Sequence, residues 1–227
     1  MYVVTFSSLA HKTGVRYTIG YIDHDGEVHA RYLGRSLASL RGSFEVVKTS
    51  SEKCPAANYN AMLDLCKTPY LILVHQDVTL PPNMLASIDA TMAAVPEFGA
   101  LGMVGVNAAG DQIQASPDAI QEIDSMDSCF IVVRKDLGVR FDDETFDELH
   151  QYVEDYCGQV SRIHGRKCYT ILAESGHRLT PAHPFNGPAP GMWYHHGHTF
   201  LQRGACWGNW LKYHQRLQAK WPGIRTT

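Results

Sequence analysis

The chain has 227 residues, of which 44% are hydrophobic and 19% charged, and its formal net charge is −3. That length suits one α/β domain with a sizeable core, and that balance excludes a disordered chain. The slight acidity provides no basic surface for nucleic acid or an anionic membrane, so neither is an expected partner. No apolar run approaches a membrane span, and residues 1–10 lack the basic flank and apolar core of a signal peptide. The expectation is a cytoplasmic protein with no transmembrane segment. Six cysteines without a C-x-x-C pair read as buried reduced thiols.

Residues 1–7 are expected to add an edge strand, and 15–22 form the first central strand, closed by the turn signal Asp23-His24-Asp25-Gly26. A helix over 28–40 follows, with Tyr32, Leu33, Leu37 and Leu40 toward the sheet. Next come a strand over 44–47, a polar connection over 48–55 and a helix over 56–66. After Pro69, Leu71 to Val74 have the pattern of a buried strand. That run ends in His75-Gln76-Asp77, at the point where a buried strand leaves its sheet. In open α/β sheets this carboxyl edge is where ligands sit. A carboxylate there suits a hard divalent cation, and it suits equally well a turn before the helix that Pro81 and Pro82 begin. Strand, helix, strand, helix, strand is the grammar of a parallel sheet.

Asn58-Tyr59-Asn60-Ala61, followed by Pro69-Tyr70-Leu71-Ile72-Leu73-Val74-His75-Gln76-Asp77-Val78, resembles the central signature of one glycosyltransferase branch. That branch is the family-2-like GT-A type typified by the streptomycin-biosynthesis glycosyltransferase domain. Its members carry a Tyr-Asn pair and then a strand ending His-Gln-Asp-Val in place of Asp-x-Asp. The resemblance implies a GT-A-like (Rossmann-like) α/β fold with a mixed, mainly parallel sheet flanked by helices. It implies one domain over residues 1–227, with a nucleotide-binding half over about 15–106 and an acceptor and catalytic half over about 107–227. It also implies inverting transfer of a sugar from a nucleotide-sugar donor, UDP-linked, to an unidentified acceptor hydroxyl. Asp77 would hold a divalent cation, Mn²⁺ or Mg²⁺, against the diphosphate. Gln76 departs from Asp-x-Asp, since it supplies no charge, and is expected beside the substrate. Asp23 and Asn60 are placed at the donor by the same resemblance. The plainer readings are a turn residue for Asp23 and a capping group for Asn60.

Residues 99–106 look like another buried strand with a glycine-containing loop. The spacing of Gly99, Gly102 and Gly105 is no phosphate-loop fingerprint and points to close backbone packing. Residues 107–122 read as a loop of substrate-binding value, and 129–134 as a strand. Asp127, just before that strand, is by resemblance a substrate contact; otherwise it is a cap paired with Arg134 or Lys135. A helix starts near residue 152, with Tyr152, Tyr156, Val160 and Ile163 on one face and Gly165 as its stop. Asp155 lies off that face, available to a cleft.

The family places an Asp, often after Glu, at such a helix start beneath the sugar. This implies Asp155 as general base and Glu154 as a substrate contact, and His150 and Tyr152 fit the same variant. An acceptor hydroxyl is a poor nucleophile until a base takes its proton, and the leaving diphosphate needs a cation to absorb its charge. The competing reading is that these acids complement the helix dipole. A strand over 167–173 and a Gly/Pro-rich loop over 174–191 lead to Trp193-Tyr194-His195-His196-Gly197-His198. By resemblance a histidine here completes the metal site. His195 and His196 point in different directions in regular backbone, so one of them serves, with Trp193 beside the substrate. An aromatic-rich helix over 201–221 closes the chain, and its Lys220-Trp221 also resembles the family. The alternatives are a non-catalytic nucleotide-sugar binding module of the same fold, and a zinc hydrolase, which lacks H-E-x-x-H.

Overall fold

A computed structural model of the chain describes residues 2–4, 14–50, 53–177, 193–195 and 207–226. The first half runs β1 (Tyr2–Val4), β2 (Tyr17–Asp23), α1 (Gly26–Arg31), α2 (Leu33–Ser39), β3 (Phe44–Ser50), α3 (Pro55–Leu65), β4 (Tyr70–Val74), β5 (Val78–Thr79) and α4 (Met84–Ala94). It continues with β6 (Phe98–Gly102), β7 (Val104–Val106), β8 (Gln112–Gln114), β9 (Glu122–Ile123), β10 (Ser125–Met126) and β11 (Phe130–Arg134). The last elements are α5 (Tyr152–Arg162), β12 (Lys167–Thr170), β13 (Ser175–His177), β14 (Trp193–His195) and α6 (Trp207–Lys220).

Eight strands form one sheet in the order β1-β3-β2-β4-β11-β6-β12-β9. The strands β2, β3, β4, β6 and β12 point one way, while β1, β9 and β11 oppose them. The sheet is therefore mixed and mostly parallel, with helices against it, consistent with the expected Rossmann-like arrangement. Two small sheets, β10-β7-β8 and β13-β14-β5, extend from the edge of the large one.

Continuous apolar runs in the central strands follow from burial on both faces. Ile72 and Val74 of β4, with Phe130 and Val132 of β11, join a core that includes Leu85 and Ile88 of α4. The alternate residues Leu71, Leu73, Ile131 and Val133 join a second core with Met62 of α3, Tyr156 of α5 and Tyr213 of α6. The glycines of the 99–106 stretch allow close approach, because a Cβ on Gly99 would overlap Val160 and one on Gly105 would overlap the Ser125 carbonyl.

Several boundaries differ from the sequence reading. The expected helix over 28–40 is two helices. Tyr32 breaks it with φ −118° and ψ −82°, and the Leu33 N–H donates instead to the Gln76 carbonyl at 3.4 Å. The helix also starts earlier, because the Asp25 side chain accepts from the N–H groups of Glu27 and Val28. The expected strand over 99–106 divides at Met103, and its second part, β7, turns into a small sheet with β8. The stretch read as a loop over 107–122 therefore carries a hairpin strand.

Asn60 ties α3 to the segment that leads into α5. Its Nδ2 donates to the Phe141 carbonyl at 2.8 Å, and its Oδ1 accepts from the Phe141 N–H at 3.0 Å. Asn60→Ala would leave both backbone groups buried and unpaired, so it is expected to cost about 3 kcal/mol. Urea unfolding should show a lower midpoint with an unchanged slope.

Candidate functional site

The carboxyl ends of β2 and β4 meet at one sheet edge, and polar side chains collect there because the strands themselves are sealed on both faces. Asp23 ends β2 with Oδ2 2.7 Å from Lys48 Nζ. Gln76 is buried just past β4. Its Oε1 accepts from the N–H groups of His24 (3.1 Å) and Asp25 (3.2 Å), and its Nε2 lies 3.2 Å from His24 Nε2. Gln76 thus fixes the loop after β2, a task for which an amide, both acceptor and donor, is suited.

Asp77 is fully buried beside it. The antiparallel β11 begins at this same edge, with Phe130 opposite Val74 and the His75 N–H donating to the Cys129 carbonyl at 3.0 Å. Asp127 Oδ1 accepts from the Cys129 N–H at 2.7 Å. Burial pushes the Cys129 thiol well up, and the negative fields of Asp127 and Asp77 add to the effect. Two carboxylates remote in sequence therefore act on one buried thiol.

The late histidine segment comes to the same place. In the β5–β14 pair, His195 lies opposite Val78, the residue after Asp77, and β13 sets His177 opposite His195. Trp193 begins β14. His196 lies outside the described residues. Among the described residues, no three or more His, Cys, Asp or Glu side chains converge as a metal cage.

The start of α5 docks on the loop before β11. Burial raises the Tyr152 phenol far above its ordinary value, against the opposing hydrogen bonds from Ser128 and Tyr59. The Tyr59 and Tyr152 rings meet edge to face at 5.5 Å. Glu154, in the first turn of α5, is buried.

Asp155 is placed differently from its expected position at a cleft. It is 0% exposed, and both carboxylate oxygens are engaged. Oδ1 accepts from Trp221 Nε1 at 2.7 Å and lies 2.8 Å from Lys220 Nζ, while Oδ2 accepts from Gln159 Nε2 at 2.8 Å. Lys220 also reaches Asp142 Oδ2 at 2.6 Å. The Trp221 indole lies flush on α5, where a Cβ on Gly158 would come within 2.8 Å of it. In this arrangement Asp155 joins α5 to the end of α6, and neither oxygen is open to an acceptor hydroxyl. A place in a helical first turn carries no sequence signal that the partners of Asp155 sit at Lys220 and Trp221.

Desolvation alone would lower the Lys220 pKa, but its bonds to Asp142 and Asp155 raise it. Burial opposes charge on Asp142 too, yet Lys220 and Thr145 hold it down at about 2, from 3.8. The folded-state value is depressed, so this contribution to stability is complete above about pH 4 and is lost as pH falls toward 2. Lys220→Met should destabilise by about 3 kcal/mol, because it leaves a buried carboxylate without its cation. Unfolding curves at pH 7 and pH 3 check both statements: the penalty of Lys220→Met should be smaller at the lower pH.

No family model and no curated protein sequence matches the chain. Solved structures do match in fold. S. aureus TarS 1-349, solved with UDP-GlcNAc, superposes with a TM-score of 0.56 at 12% identity, covering 91% of this chain and 66% of that one. The mannosyltransferase PcManGT from Pyrobaculum calidifontis, solved with GDP-Man and Mn²⁺, gives 0.52 at 10% identity, covering 86% and 60%. A longer S. aureus TarS structure gives 0.53 at 12% identity, covering 80% of this chain and 36% of that one. The chain spans about 60% of the length of TarS 1-349 in a further match. Among the described residues no helix is long and apolar enough to cross a membrane. The chain thus shares, at a distance, the fold of nucleotide-sugar-binding proteins, one of them a mannosyltransferase.

Proposed function

We propose that the chain is a metal-dependent, inverting glycosyltransferase that moves a sugar from a nucleoside-diphosphate donor to an acceptor hydroxyl. The observation that carries this reading is the gathering of Asp23, Gln76, Asp77, Asp127 and the start of α5 at one sheet edge, with His195 brought opposite Val78. Open α/β sheets hold ligands at this edge. The fold shared with proteins solved with UDP-GlcNAc and with GDP-Man and Mn²⁺ supports the same donor class.

Asp77 and one of the late histidines, His195 or His196, would hold the cation. A carboxylate with an imidazole suits Mn²⁺, and a carboxylate alone suits Mg²⁺. So short a ligand set fits a cation whose other positions are filled by diphosphate oxygens and water. Bound there, it would neutralise charge growing on the leaving diphosphate. Asp23 and the loop held by Gln76 would take the nucleoside, a UDP-linked donor being the first to test. Asp127, Glu154 and Trp193 would line the sugar, and Asn60 would act at one remove, through the backbone of Phe141. The proton-accepting step falls to the start of α5.

A second reading, a nucleotide-sugar binding module without turnover, is favoured by one observation: the engagement of both Asp155 oxygens. Thermal unfolding with UDP or GDP, with and without Mn²⁺, tests the donor site. Nucleotide and metal together should raise the melting point, since ligand at a hundred times its Kd stabilises by about 2.7 kcal/mol. Asp77→Asn should stay folded and lose the Mn²⁺-dependent part of that shift. An undiminished shift in folded Asp77→Asn would remove Asp77 from the metal site. Binding of UDP-GlcNAc or GDP-Man without consumption would favour the module.

A further inference from the structure

The core beneath α5 holds two thiols that sugar transfer does not use. Cys157 lies in the second turn of α5 and Cys168 in β12. Both side chains belong to one core, at 0% and 2% exposure. The helix is pressed onto the sheet at this place. A Cβ on Gly99 would overlap Val160 of α5, and Cys168 pairs with Ala100, the residue after Gly99. Here the two thiols meet in a hydrogen bond with each other. Cys66 and Cys129, buried elsewhere, bond instead to oxygen partners on Thr68 and Asp127.

The pair is reached from one side. A cavity of about 280 Å³ is lined by Cys168, Ile123, Asn107 and Ser161, with the exposed Glu122 and Lys167 beside them. Ser161 stands one turn beyond Cys157 on the same face of α5, so the face that carries Cys157 borders this cavity. Cys168 lines it and Cys157 does not. The Cys157 thiol is held well above its ordinary pKa, first by its hydrogen bond to Cys168, then by burial and the field of Glu154, against a backbone hydrogen bond at Met126. It keeps its proton and shares it with the Cys168 sulfur, and a donated hydrogen bond favours the thiolate of the acceptor. The thiol on the cavity side is therefore the nucleophile, and the sealed one is its partner. Charges at the rim are matched, Lys167 Nζ lying 2.7 Å from Glu122, which suits a small neutral oxidant.

We propose that Cys157 and Cys168 are a modification site, an oxidisable pair that a hydroperoxide entering this cavity converts into a disulfide tying α5 to β12. The site goes beyond the transfer reaction and needs no sugar donor. The Cys168 thiolate, its proton given to water, attacks one oxygen of the hydroperoxide. The O–O bond breaks, and its electron pair leaves on the other oxygen, which takes up a proton. Cys168 is then a sulfenic acid. The Cys157 sulfur attacks the Cys168 sulfur, and the S–S bond forms as the hydroxyl leaves with the Cys157 proton as water. Two thiols have lost two electrons, and one hydroperoxide has gained them.

The test treats folded wild type, Cys157→Ala and Cys168→Ala with hydrogen peroxide and reads intact mass and peptide maps without reductant. Wild type should lose the mass of two hydrogens, yield a cross-linked peptide joining Cys157 to Cys168, and regain both thiols with dithiothreitol. In Cys157→Ala oxidation should stop at a sulfenic acid on Cys168, which dimedone labels. In Cys168→Ala, Cys157 should stay reduced at doses that oxidise the half-buried Cys54. The wild-type map decides the matter even where a variant fails to fold. A folded wild type that keeps Cys168 reduced while Cys54 is oxidised would overturn the proposal. So would Cys168 carried on to sulfinic acid beside a reduced Cys157, or a disulfide from either cysteine to a different partner.

Discussion

The burial of β4 on both faces governs this structure. Its side chains Leu71 to Val74 are closed off by β2 and β11 at the flanks and by the two cores above and below. No polar group is accommodated along such a strand without a partner, so polarity is forced to its end. His75, Gln76 and Asp77 sit where the chain first escapes, and β11, running in the opposite direction, delivers Asp127 and Cys129 to the same point. The polar edge is a consequence of how the core closes.

The second constraint is the buried carboxylate of Asp155. A charge removed from water is tolerable only with good partners, and it has an ammonium, an indole N–H and an amide. These partners come from α5 itself and from the end of α6, so one carboxylate ties the end of the chain to the helix whose first turn faces the sheet edge. Lys220 carries the tie further to Asp142, in the loop after the Phe141 clamp. The start of α5 is consequently held from three sides: by Tyr59 and Ser128, by the loop over 141–149, and by α6.

Much of the fold was legible because it depends on short-range pattern. The run Leu71 to Val74, the apolar spacing of α4 and the Gly165 stop after α5 are local signals, and each marks a real element. Boundaries failed where a distant group intervened: Tyr32 breaks the first helix because Gln76, far along the chain, captures the Leu33 N–H. The candidate site divides along the same line. The strand-end position of Asp77 was readable from its own neighbours. The register that sets His195 opposite Val78 and the pairing of Asp155 with Lys220 depend on tertiary contacts that no local spacing encodes. The positive φ of Gln151 had no signal either, since glutamine is not a residue that announces a left-handed turn.

Gln76 shows how the departure from Asp-x-Asp is accommodated. A carboxylate in its place could accept from His24 and Asp25 but could not also donate to the His24 ring, whereas the amide does both. The charge missing at this position is thus exchanged for order in the loop that ends beside Asp23. The negative fields of Asp77 and Asp127 both reach the Cys129 thiol at this edge. A neutral glutamine at residue 76 is therefore compatible with the cation proposed at Asp77, because its work is to hold the loop that ends beside Asp23.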